Sequence, residues 1–146
     1  MNPATQHNIG AFVVPVTSVF PQSSAAATIN GSSLQRSVHG LPLSCVVHQH
    51  VGALGGAPAT TSVVSKIQHS PDNSTWADYT ADGASAVAAT PALTAASTGN
   101  RANVDLSGAN DWIRVVTTIS FTGGTSPTAV VAAEMIIGGE ALLPAT

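Results

Sequence analysis

His48 and His50 stand two apart in the run LSCVVHQHV (43–51), and they are the first residues here whose type and spacing could do chemistry. On an extended segment, residues i and i+2 share a face, so both imidazoles point the same way. His69 could join them from a neighbouring strand, since three imidazoles on adjacent strands can hold zinc or nickel, but the sequence leaves open whether the three meet. No carboxylate stands close to the pair in sequence to orient the rings. The histidines are therefore read as surface or interface residues, with no metal and no other cofactor expected.

The carboxylates are Asp72, Asp78, Asp82, Asp105, Asp111, Glu134 and Glu140. Most fall in or beside turns, where Asp bonds the local backbone. Asp72, Asp78 and Asp82 match no calcium-loop spacing, and nothing sets two carboxylates at a glycosidase separation. Glu134, inside the apolar stretch 128–137, is expected to pair with an arginine or to lie at a sheet edge. Serine-hydrolase, zinc-protease and phosphate-loop motifs are absent, so no catalytic residue is assigned and the chain is read as a non-enzyme. Asn73-Ser74-Thr75 spells a glycosylation acceptor, but it lies in a turn and is read as coincidence. The lone Cys45 rules out an internal disulfide and is expected as a buried small hydrophobe. Trp76, Tyr79 and Trp112 could stack on sugar rings from a sheet face. In a chain this poor in aromatics they are expected instead to anchor the core.

The elements that must position these groups are strands. In 61–79, TSVVSKIQHS-PDNS-TWADY, Val63, Ser65, Ile67 and His69 share one face, and Val64, Lys66 and Gln68 the other. Pro71 to Ser74 then supply turn chemistry, since proline pre-sets φ while Asp and Asn tolerate the left-handed region. The return strand is expected over 75–79. In DWIRVVTTISF (111–121) the alternation places Ile113, Val115, Thr117, Ile119 and Phe121 on the core face. Further strands are expected at 11–20, interrupted by Pro15 and so at an edge or a bulge. Others are expected at 25–29, 43–51, 102–106 and 128–137. Leu34, Val38 and Leu41 are spaced for a helical turn that Gly40 and Pro42 cut short. The Ala-, Thr- and Ser-rich stretch 80–100 carries no stripe of large residues and is read as strand or loop. The pattern predicts an all-β chain, a single antiparallel β-sandwich of jelly-roll or Ig-like type with about eight short strands. Residues 1–10 form an N-terminal arm, 11–138 the sandwich and 139–146 a C-terminal tail.

Composition limits the partners. Only 8% of the 146 residues are charged, against roughly 25% in ordinary globular proteins. A surface so poor in charge is hard to keep soluble and monomeric, so much of it is expected to be covered by other subunits. The net charge of −3 and four scattered basic residues leave no stripe for a phosphate backbone, so nucleic acid is not expected. The first residues carry no basic segment before an apolar one, and no apolar run is long enough to span a bilayer. Neither Sec export nor a membrane is expected.

The hairpin SKIQHSPDNSTWADY followed by DWIRVVTTISF resembles a pattern common in small structural proteins of tailed bacteriophages. There a strand of the form "lqhSdDgstW" is followed by one of the form "yvRvvvt". Size and single-domain layout are most similar to capsid decoration, or cement, proteins. The resemblance implies a homo-oligomer, a dimer or trimer, made in the host cytoplasm and bound to the major capsid protein on the outer surface of the head. It brings no catalytic residue. Met1, Asn2, Pro3, Ile9, Leu142, Leu143 and Pro144 are the expected partner contacts. A carbohydrate-binding or fibre module, or a head–tail connector or tail subunit, is the alternative.

Overall fold

A computed structural model describes residues 10, 12–81 and 84–140 of the chain. The arm and tail residues expected to touch a partner lie outside them. Nine strands appear among the described residues: β1 (Val13–Ser24), β2 (Ala27–Asn30), β3 (Leu34–Gln35), β4 (Pro42–Gly55), β5 (Thr60–Ser70), β6 (Ala77–Asp78), β7 (Thr98–Asp105), β8 (Trp112–Thr122) and β9 (Thr128–Glu140). A 3₁₀ turn, Arg36–His39, follows β3 where a helical turn was expected, and it ends at Gly40 in the left-handed region.

The pairing follows a simple rule. β1 pairs with β9, β2 with β8, β4 with β7 and β5 with β6, all antiparallel, so the pairs nest from the ends of the chain inward. Rolling that long ribbon brings β4 against β9 and β5 against β8. Two sheets result, ordered β1-β9-β4-β7 (sheet A) and β2-β8-β5-β6 (sheet B), with β3 adding to β8. Eight framework strands nested in this way are a jelly roll, which decides between the two sandwich types.

The core sits between the sheets on the faces that alternation predicts. Cys45, Val47, Gln49 and Val51 of β4 point inward, as do Val63, Ser65 and Ile67 of β5. Ile113, Val115, Thr117 and Ile119 of β8, with Val131, Ala133, Met135 and Ile137 of β9, complete it. A larger apolar cluster around Ile67, Tyr79, Leu106 and Met135 lies apart from a smaller one around Val51, Val63, Leu93 and Ile119. Buried polar groups accompany them: the Ser65 and Thr117 hydroxyls lie 2.8 Å apart, and the Gln49 amide donates to the carbonyls of Val63 and Pro91.

The stretch 84–97 runs as irregular chain along the side of β5 away from β8, beyond the short pairing with β6. It is held by backbone hydrogen bonds, including a reciprocal pair between Val63 and Leu93 and one from Thr90 N–H to the Ser65 carbonyl. It carries few large side chains, of which Leu93 is buried in the smaller cluster, and the Thr90 hydroxyl also bonds the Ser65 backbone.

β1 is an edge strand, as Pro15 requires, and its register with β9 shifts between Thr17 and Val19 and again between Val19 and Gln22. The irregularity turns Ser18 and Val19 inward together. The Ser18 hydroxyl donates to the Ser32 carbonyl and accepts from Val115 N–H, tying β1 to the opposite sheet. Gly31 threads between: a Cβ there would lie 2.3 Å from Ser18 Oγ and 2.7 Å from the Val115 carbonyl oxygen.

Candidate functional site

On β4 the inward residues are odd-numbered, so His48 and His50 project from the outer face of sheet A. On β9 the inward set is also odd-numbered, which puts Glu134 outward. The β4–β9 register then sets Glu134 directly across from His48, and the β4–β7 register sets Arg101 on its other side. Thr17 of β1 continues the row beyond Glu134.

Directly opposed residues on neighbouring strands bring their Cβ atoms within about 5 Å, close enough for side chains to meet. The His48 Nδ1 lies 3.2 Å from Glu134 Oε1. The ring of His50 packs edge-on against that of His48, with centroids 4.1 Å apart and planes at 63°. One nitrogen from each histidine and one carboxylate oxygen all lie within 4.8 Å of one another. His48 and Glu134 are half-buried and His50 is exposed. Beside His50 and Glu134, where the register of β1 shifts, a cavity of about 180 Å³ opens, walled by Thr17, Val19 and Pro21.

Three readings of the sequence are decided or revised here. His69 does not join the pair. It lies on β5 in sheet B, where its Nδ1 accepts from Asn110 N–H and its ring packs on Tyr79 at 5.1 Å. Burial lowers its pKa, which suits a neutral structural imidazole. Glu134 pairs with a histidine, not with an arginine, and β9 is an inner strand of its sheet, not an edge. The third correction concerns the tryptophans, which are half-buried and absent from the core.

Trp76 instead carries the Arg114 guanidinium 4.2 Å above its ring. Arg114 donates to Gln68 Oε1, Gln68 to Asp78, and Lys66 closes on Asp78 at 2.6 Å, so a polar ladder covers the outside of sheet B. Tyr79, by contrast, is a core anchor as expected, with its hydroxyl donating to the Asp105 carbonyl.

Cys45 is buried, as expected, and burial pushes its thiol up to about 12, despite the opposing charge of Arg36. It is no nucleophile at neutral pH. Arg36 is itself buried and donates to the carbonyls of Pro42, Ala109 and Asn110, clamping the 3₁₀ turn to the loop before β8.

A second feature of sheet A lies toward one end of it. Val13, Leu43, Val46 and Ile136 border an open depression of about 420 Å³. Phe20 and Val38 are 65% and 60% exposed elsewhere on the surface.

No family model and no curated protein matches this chain. Among solved structures it is similar to the SPBc2 prophage-derived protein YomS, at 9% identity and a TM-score of 0.39 over 86% of this chain and 95% of that one. It is also similar to a chain in the structure of infectious bursal disease virus Gx strain, at 14% identity and a TM-score of 0.47 over 90% of this chain. The VP2 subviral particle of the same virus matches at 11% identity and a TM-score of 0.44 over 91% of this chain. The chain spans 34% and 35% of the length of those two viral chains.

Proposed function

We propose that this protein is a structural component of a phage virion, an auxiliary decoration (cement) protein on the outer surface of the head. There it stabilises contacts between copies of the major capsid protein. The observation that carries this reading is the uncovered apolar surface of a charge-poor jelly roll. Val13, Leu43, Val46 and Ile136 border an open depression on sheet A, and Phe20 and Val38 stand out into solvent. With four basic and seven acidic residues in the whole chain, little charge offsets that surface. Covering it with partner subunits removes the cost.

The jelly roll suits this role without selecting it, because capsid and lectin domains both use the fold. The resemblance of 65–79 and 111–121 to phage structural proteins supports the phage class. On this reading the work is mechanical. Strand edges and the two terminal segments add backbone hydrogen bonds and buried area across capsomer junctions. Many copies then sum modest interfaces into a large stabilisation. Met1, Asn2, Pro3, Ile9, Leu142, Leu143 and Pro144 belong to that contact, and the protein acts as a dimer or trimer.

Heads assembled with and without this chain provide the test. Those lacking it are expected to rupture at a lower temperature, read by release of packaged DNA to a dye. Equal rupture temperatures would refute the cement role.

A further inference from the structure

We propose that His48, His50 and Glu134 form a binding site for a single divalent transition-metal ion, with zinc as the representative case, on the outer face of sheet A. The donor set is two imidazole nitrogens and one carboxylate oxygen, which suits zinc and its neighbours better than the all-oxygen preference of calcium or magnesium.

Backbone register brings the three residues together. Spacing of two on β4 puts both imidazoles on one face, and the β4–β9 register delivers the carboxylate opposite the first of them. Bonds of about 2.0–2.1 Å around a tetrahedral ion separate neighbouring donors by about 3.3–3.4 Å. The His48 Nδ1 to Glu134 Oε1 distance of 3.2 Å already fits that edge. The remaining edges, at most 4.8 Å, close by a change in the ring orientation of His50, which is exposed.

Three protein donors leave one position open toward solvent, where water or a donor from another molecule completes the shell. The cavity walled by Thr17, Val19 and Pro21 leaves room beside it. Arg101 is the register neighbour of His48 on β7 and opposes a cation. It is exposed, so solvent screens its charge. Once bound, the ion would clip β4 to β9 in the middle of sheet A. This inference does not depend on the capsid reading.

Titration of the untagged, metal-free full chain with zinc chloride in a calorimeter is the test, with thermal unfolding followed alongside. One zinc per chain is expected, together with a rise in Tm. His50→Ala and Glu134→Gln are each expected to weaken binding by at least about tenfold. Both changes fall on the outer face, so circular dichroism should match the parent, and His50→Ala, at the exposed position, keeps the test valid if Glu134→Gln disturbs pairing. His69→Ala, on the other sheet, should bind zinc as the parent does. No zinc binding by the parent would overturn the proposal. So would parental affinity in folded His50→Ala, which places any ion elsewhere.

Discussion

Asp72 shows how much one side chain in this protein does for its neighbours. Its carboxylate accepts from Thr75 N–H, Ser74 N–H and the Ser70 hydroxyl, closing the turn after β5, and these bonds hold its pKa far below the usual carboxylate range. Asn73, next in the chain, takes a φ of 58°, the left-handed conformation that Asn tolerates best. Asp78 is lowered by Lys66 and then Gln68, and Asp105 by the backbone and hydroxyl of Ser107. For Asp111 burial pushes upward, but the hydrogen bonds from Gln35 and Ser37 outweigh it. Each folded-state pKa lies below its unfolded value, so the unfolded chain binds more protons in acid. The stability these groups contribute is present above about pH 4 and is lost as pH falls through the lowered values. His69, lowered by burial, has the same sign and acts below about pH 6.5. Tm is therefore expected to decline slightly below about pH 6.5 and steeply below about pH 4. Asp72→Asn should blunt the steep phase. A Tm that rises on acidification would contradict this assignment.

At the scale of elements, the crossing of β1, Gly31 and β8 is a tight joint between the two sheets. A side chain at Gly31 would meet Ser18 Oγ and the backbone oxygens of both Ser18 and Val115 within 2.8 Å. Side-chain rotation can move the hydroxyl, but not the two carbonyls. Gly31→Ala is expected to cost about 1–3 kcal/mol, the usual range for overpacking. It should lower the urea midpoint and leave the slope unchanged; an unchanged midpoint would show that the joint gives way freely.

The same elements show what could be read in advance. The inward faces of β4, β5 and β8 follow from alternation, as does the shared face of His48 and His50. The turn at Pro71–Ser74 follows from residue chemistry. Glu134 as the partner of His48 did not follow, because the two are 86 residues apart and only the β4–β9 register joins them. One signal was present: Glu134 falls on the polar side of its own alternation, between inward Ala133 and Met135. Trp76 was misplaced because β6 spans only two residues and begins after it, leaving the indole to pack under Arg114 outside the sheet. The stretch 84–97 gave no period, since it is irregular chain joined to β5 through isolated bridges and backbone bonds.

For the whole molecule, the nested pairing is both the least local feature and the most informative. Every framework pair outside the β5–β6 hairpin joins distant parts of the chain, so no short window of sequence could distinguish jelly roll from Ig-like order. The rolled ribbon leaves two outward faces of different character. Sheet B is laced by the Lys66–Asp78–Gln68–Arg114 ladder, while sheet A presents at one end an open depression that Asn103 and Asp105 share with Val13, Leu43 and Ile136, and the histidine–glutamate cluster near its middle. On the proposed reading, a molecule built this way, with so few charges, lies against other subunits. The most direct measurement of that claim is a three-dimensional reconstruction of the virion that locates and counts this chain. Hundreds of copies seated on the outside of the head, over junctions between major capsid subunits, are predicted. A single ring of about a dozen copies or fewer at the head–tail junction would contradict it.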